Sequence, residues 1–95
     1  MSLIKQAQAG TLESNDIVIM VAPSVGGGIV VELQSLVMPQ YGQQIRNIIE
    51  STVKEQGIDD IYIKAVDRGA LDCTIRARML AALARAGATG KEENV

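Results

Sequence analysis

Ser14 lies in the run G-T-L-E-S-N-D-I-V-I-M-V-A-P from Gly10 to Pro23, in a polar turn just ahead of five apolar β-formers, Ile17 to Val21. Two strands meeting at that turn would hold its hydroxyl out at a hairpin tip. Such a serine is either a passive turn former or a handle for covalent attachment. Its neighbours Glu13 and Asp16 are weak bases at neutral pH, so the hydroxyl does not activate itself, and a modifying enzyme would have to supply the base. Cys73 falls early in a helical pattern, where the helix dipole stabilises a thiolate, although a single cysteine there reads first as a small, buried or half-buried packing residue. Asp59, Asp60 and Asp67 are spaced as capping and turn residues, not as a metal cluster. The V-G-G-G stretch from Val25 to Gly28 is followed by I-V-V-E-L, another strand. It lacks the helix and the Lys-Ser or Lys-Thr pair of a phosphate loop, and reads as a hairpin loop.

The composition narrows the chemistry further. The chain has 95 residues, enough for one domain, with 47% hydrophobic and 21% charged residues, within the globular range. It contains no histidine, so it offers no Ser-His or Cys-His nucleophile pair and no imidazole metal site. That favours a chain that does not itself catalyse, with no metal. A net charge of -2, two tyrosines and no Phe or Trp argue against nucleic-acid binding. One cysteine precludes an internal disulfide, and no apolar run approaches the roughly 20 residues of a membrane span. With no signal-peptide core in M-S-L-I-K-Q-A-Q, the expectation is a cytoplasmic domain with no membrane contact.

The elements that must position Ser14 follow from periodicity. A weak edge strand is expected between Gln6 and Ser14, then a central strand at Ile17–Val21 ended by Pro23. Ile29–Ser35 alternates, with Ile29, Val31 and Leu33 on one face and Val30, Glu32 and Gln34 on the other. A helix begins near Pro39, with Tyr41, Ile45, Ile48, Ile49, Thr52 and Val53 on its apolar side, a Glu50–Lys54 pair on the other, and Gly57 as its stop. Ile61–Val66 is a fourth strand, and Asp67, Arg68 and Gly69 turn the chain. A last helix, about Ala70 to Ala86, carries Leu71, Ile75, Met79, Ala82, Leu83 and Ala86 as its core face and an Asp72–Arg76 pair. Cys73, Ala77, Leu80 and Ala84 make a second apolar stripe, in which an exposed Leu80 would suit docking. The fold expected is α+β: a two-layer sandwich of about four mostly antiparallel strands with two helices on one face, in the order β-β-β-α-β-α. The third strand, first helix and fourth strand would form a parallel crossover. Residues 1–88 would form the domain and residues 89–95 a flexible polar tail.

Two segments carry a family resemblance. A-G-T-L-E-S-N-D-I-V-I near the start and D-R-G-A-L-D-C-T-I-R-A-R-M-L-A-A-L-A-R-A near the end resemble the acyl carrier proteins of citrate lyase, its gamma chains, over roughly Ala9 to Ala86. The glycine loop and the tail add nothing to the match. The resemblance implies that Ser14 carries a covalent 2'-(5''-phosphoribosyl)-3'-dephospho-coenzyme A arm through a phosphodiester. The arm's terminal thiol would hold acetyl and then citryl as thioesters. The implied partners are the citrate lyase alpha subunit, which exchanges acetyl for citrate, the beta subunit, which splits the citryl thioester to oxaloacetate, and a prosthetic-group transferase. Cys73 would not be the working thiol. Glu13, Asp16, Arg78 and Leu80 are the candidate docking residues. The ordinary helical carriers, with serine in a D-S-L motif at a helix start, do not fit, because Ser14 precedes a strand. The alternatives are the analogous carrier subunit of malonate decarboxylase, a non-carrier α/β interaction module, and a small acylphosphatase-like hydrolase. The last would need an anion cradle around Arg68, and the glycines for one are missing there.

Overall fold

β4 (Ile61–Asp67) is the strand around which the rest is laid out. A computed structural model describes residues 5–35 and 41–87. Before β4 come β1 (Ala7–Gly10), β2 (Ile17–Ala22), β3 (Ile29–Ser35) and α1 (Gly42–Glu55), and after it α2 (Asp72–Arg85). The strands lie in the order β1-β2-β4-β3. β4 is antiparallel to β2 and parallel to β3, and β1 is antiparallel to β2. The expected α+β order, the mostly antiparallel sheet and the parallel β3–α1–β4 crossover are all present.

The alternation of β2 and β4 explains their central positions. Ile17, Ile19 and Val21 on β2, and Ile61, Ile63 and Ala65 on β4, are all inaccessible to solvent and share one sheet face. Onto that face α1 lays Ile49 and Val53 and α2 lays Ile75, Met79 and Leu83, each at most 1% exposed. Burying one such side chain contributes roughly 1.5–3 kcal/mol, so this seam dominates the stability of the domain. β3 keeps Val30, Glu32 and Gln34 exposed, the pattern of an edge strand that cannot be covered on both sides.

That pattern overturns the hairpin expected at Val25–Gly28. β4 inserts between β2 and β3, so the glycine loop crosses over the start of β4 instead of joining paired neighbours. Gly28 N donates to Asp60 Oδ1 at 2.6 Å, and Ile61 N donates to the Gly28 carbonyl at 3.0 Å. β1 is also shorter than expected. Gly10 turns the backbone at φ +98°, and a Cβ there would collide with the Ile17 carbonyl oxygen, so the strand stops at that residue.

Several side chains depart from their expected faces. Tyr41 and Leu71 precede the first turns of α1 and α2 and are 51% and 69% exposed, because each residue leaves the helical screw at its N-cap. Cys73 is exposed, not packed. Leu80 is half-buried, while Ala77 and Ala84 of its stripe are exposed. The local pair Asp72–Arg76 gives way to contacts between elements, and Glu50 and Lys54 form no ion pair among the described residues. Arg76 Nη1 reaches Glu55 Oε1 at 2.6 Å, and Asp72 accepts from Gln44 Nε2 at 2.9 and 3.1 Å. Helix–helix packing brings those partners as near as the i,i+4 neighbours. Pro39 and the tail, residues 89–95, lie outside the described residues.

Candidate functional site

Register places the Ser14 turn. Ser35 and Ile17 both pair with Asp67, so the ends of β3 and β4 and the start of β2 share one edge of the sheet. The turn of residues 11–16 and the β4–α2 turn therefore face each other. Asn15 N donates to the Arg68 carbonyl at 2.8 Å and Arg68 N to the Asp16 carbonyl at 2.9 Å, carrying the β2–β4 ladder past the strands. Asn15 takes the left-handed conformation at φ 66°, which asparagine tolerates better than most residues. Gly69 sits so close that a Cβ on it would lie 3.4 Å from Asn15 Oδ1.

Side chains brace the same turn from within and from α2. Arg78 grips the Asp16 carboxylate with both ends of its fork, Nε to Oδ1 at 3.0 Å and Nη2 to Oδ2 at 2.8 Å. Thr11 Oγ1 donates to Asp16 Oδ2 at 2.6 Å, and Ile17 N donates to Oδ1 at 2.7 Å. Thr11 Oγ1 accepts in turn from Glu13 N at 3.2 Å. The Arg78 hydrogen bonds, then those of Thr11 and the Ile17 N–H, hold the Asp16 carboxyl well below the usual carboxylate range. The same contact raises Arg78 above its ordinary value. The pair is half-shielded, with the side chains of Arg78 and Asp16 39% and 13% exposed. A bidentate guanidinium–carboxylate pair fixes direction as well as distance.

Ser14 is the exception in this web. It is exposed, and its hydroxyl takes part in no hydrogen bond among the described residues. Leu12, 57% exposed, stands two residues before it. Across the paired backbones, the Arg68 side chain makes no hydrogen bond or ion pair among the described residues. Its Nε is the single buried side-chain polar atom left without a partner among the described residues. Beneath, Asp67 is 1% exposed and fully engaged: Ser35 Oγ donates to it at 2.9 Å, Gly69 N at 3.1 Å and Ala70 N at 3.0 Å. That carboxylate fixes the β4–α2 turn against which the Ser14 turn rests.

The structure thus brings Glu13, Ser14, Asp16 and Arg78 to one edge, and leaves Leu80 half-buried on α2. Residue-by-residue reading named Asp16 and Arg78 without pairing them, since 62 positions separate them and no local pattern links them. It missed Thr11 as the inner brace, and weighed Arg68 only as the anion-binding arginine of a hydrolase, not as the residue whose backbone pairs with Asn15 and Asp16. The S/T-x-x-x-x-D spacing of Thr11 and Asp16 across a turn was the only signal available.

Comparison with known proteins gives the family and the fold class. A protein-family profile described as the malonate decarboxylase delta subunit matches residues 4–86. The crystal structure of a Pseudomonas malonate decarboxylase hetero-tetramer in complex with malonate contains a chain of the same fold, with a TM-score of 0.74 over 92% of this chain and 89% of that one, at 17% identity. Fold and profile define the class: a small α+β acyl carrier protein, unlike the helical-bundle carriers. Two relatives are the citrate lyase acyl carrier proteins of Streptococcus mutans, 51% identical over 90% of this chain and 84% of its own length, and of Halothermothrix orenii, 48% identical over 98% and 97%. The chain belongs to the citrate lyase acyl carrier protein family. Among the described residues no helix is long and apolar enough to cross a membrane.

Proposed function

We propose that Ser14 is the attachment point of the prosthetic group, a 2'-(5''-phosphoribosyl)-3'-dephospho-coenzyme A arm joined to Oγ by a phosphodiester. The observation that carries this reading is a free, exposed hydroxyl on a turn braced on either side of it through Thr11, Asn15 and Asp16. When bound, the arm supplies a thiol that holds acetyl or citryl as a thioester. Everything else the chain does is positioning. Asp16 stays ionised and is already shared among Arg78, Thr11 and the Ile17 N–H, so it cannot accept the Ser14 proton. A prosthetic-group transferase must therefore bring its own base and close over the tip, as the protrusion of the turn allows. Arg68, unpaired and one backbone bond from Asn15, would hold the first phosphate of the arm.

The chain itself is then a carrier without catalytic chemistry, acting in the cytoplasm. Its partners are a citrate lyase alpha subunit, which exchanges acetyl for citrate, and a beta subunit, which cleaves the citryl thioester and restores the acetyl carrier. Tethering raises the concentration of the acyl group at both centres without any affinity of the acyl group itself. Glu13 and the neighbouring Leu12 form the exposed rim that partners would meet, with Leu80 farther along α2. Asp16 and Arg78 contribute by keeping that rim in shape. The family profile and the fold neighbour leave a second reading, a carrier working with malonate decarboxylase subunits; relatives at 51% and 48% identity favour citrate lyase.

The test is intact mass and peptide mapping after incubation with the transferase and its precursor. The expected result is one added arm, on the peptide containing Ser14, absent from Ser14→Ala. That variant should fold with a stability change within about 0.5 kcal/mol, as for any exposed site. An unmodified chain beside a modified control carrier would instead make it a non-carrier interaction module.

A further inference from the structure

The starts of the two helices enclose a cleft of about 580 Å³ that the carrier role described so far leaves without a task. Ile45 and Ile75 form its floor, and both are buried. Tyr41 and Leu71 stand at its mouth, 51% and 69% exposed. The Gln44 amide and the Asp72 carboxylate, hydrogen-bonded at 2.9 and 3.1 Å, supply polar atoms on one wall. Gly69 is part of the lining too, and a Cβ on it would lie 3.4 Å from Asn15 Oδ1, so the cleft shares a wall residue with the turn that carries Ser14.

We infer that this cleft is the seat of the nucleoside portion of the Ser14-borne arm, with the base between Tyr41 and Leu71. The inference rests on the carrier reading and extends it from the attachment atom to the rest of the chain's surface. Three features point to that part of the arm. The phosphoribosyl and adenosine units come first from the attachment end, so they are the units that can reach a site beside Asn15, whereas the thiol end lies farthest away. The Tyr41 ring offers a flat face on which a base stacks, and the branched Leu71 side chain offers apolar contact beside it. The neighbouring amide and carboxylate can pair with the amino and ring nitrogen atoms of adenine. Neither helix start has a side-chain cap, so backbone N–H groups of the first turns remain to face the arm's phosphates. Seating the nucleoside leaves the remaining part of the arm free to swing, which shortens the tether and raises the effective concentration of the thioester at a partner docked on the same edge.

Cys73 serves as the reporter, because it lines the cleft, is exposed and is the single cysteine of the chain. Its alkylation by iodoacetamide is followed by mass on its own peptide, so reaction at the arm's thiol does not interfere. In the arm-bearing chain, established first by intact mass, the rate at Cys73 should fall about tenfold relative to the unmodified chain, the ratio for a cleft filled roughly 90% of the time. Tyr41→Ser combined with Leu71→Ser should restore the rate while the arm stays attached. A Val25→Cys variant, 105% exposed at Val25 on the far edge, should react equally with and without the arm. An arm-bearing chain whose Cys73 reacts as fast as the unmodified chain overturns the inference and leaves the carrier reading standing. So does protection that survives the double substitution, or that appears equally at the Val25→Cys thiol. If no arm is attached at all, the mass measurement removes the carrier reading, and the seat with it.

Discussion

The sheet has two ends, and they are built on opposite plans. At the end of β4, the turn of residues 11–16 is braced by a bidentate Arg78–Asp16 pair, by Thr11 and by two backbone bonds to Arg68. At the start of β4, the glycine loop is held by one bond from Gly28 to Asp60 and one from Ile61 to Gly28, with Val25 fully in solvent. Both are exposed loops of similar length, and only the first flanks an unbonded hydroxyl with residues held by side-chain and backbone bonds. Under the proposed function, the difference separates the loop that presents the arm from one held by fewer bonds. A presented hydroxyl gains from rigid surroundings, because a modifying enzyme then meets one geometry instead of an ensemble.

Four substitutions would break or sharpen that contrast. Gly10→Val should have the largest effect, because it drives a side chain into the Ile17 carbonyl at φ +98°. It should destabilise the chain by about 3 kcal/mol or more, since strain and steric overlap add, which denaturant unfolding would measure. An unfolding midpoint equal to that of the parent chain would mean the hairpin is not anchored as described. Asp67→Ala removes the acceptor shared by Ser35, Gly69 and Ala70 and should cost about 2–3 kcal/mol. Arm loading at Ser14 should fall with it even under conditions where the domain remains folded, because the opposing turn loses its shape.

Arg78→Gln tests the brace through pH. The carboxyl of Asp16 titrates lower when folded than when unfolded, so its stabilising contribution is complete above the ordinary carboxylate pKa of about 3.9. It is lost as pH falls through the depressed folded value. The parent chain should therefore lose stability between about pH 4 and lower pH more steeply than Arg78→Gln, whose Asp16 titrates nearer its ordinary value. Thermal unfolding of both proteins from neutral pH downward would show it, and parallel curves would place the strength of the turn elsewhere. The smallest effect belongs to the other end. Gly26 has a negative or extended φ and open space where a Cβ would stand, so Gly26→Ala should change stability by at most about 0.5 kcal/mol and leave arm loading untouched. A loss of loading there would give the glycine loop a part in presentation after all.

Most of the secondary structure is legible in the chain because it is written in local periodicity. The bounds of β3 are those of the alternating stretch, and the apolar faces of α1 and α2 follow their 3.6-residue repeat except at Tyr41 and Leu71, where the helical screw has not yet begun. Ser14 is also legible as an exposed turn residue, from its place in the polar E-S-N-D stretch before an apolar strand. Cys73 is not, because one residue's position on a helix does not say whether a neighbouring element covers it. The glycine loop misled for a related reason. Two strands joined by a short glycine-containing loop are usually paired, but here a later strand with a more completely buried face takes the place between them.

The amino-acid sequence by itself therefore determined the elements, the apolar seam, the exposed serine and the family, since each rests on neighbours in the chain or on runs of residues. The tertiary structure alone decided which strand is central, that Arg78 reaches Asp16 across 62 positions, that Arg68 stands unpaired beside the serine turn, and that two helix starts enclose a cleft next to it. Those are contacts between segments far apart in the chain. Their energies depend on burial and on partner geometry, which exist only once β4 has been inserted between β2 and β3.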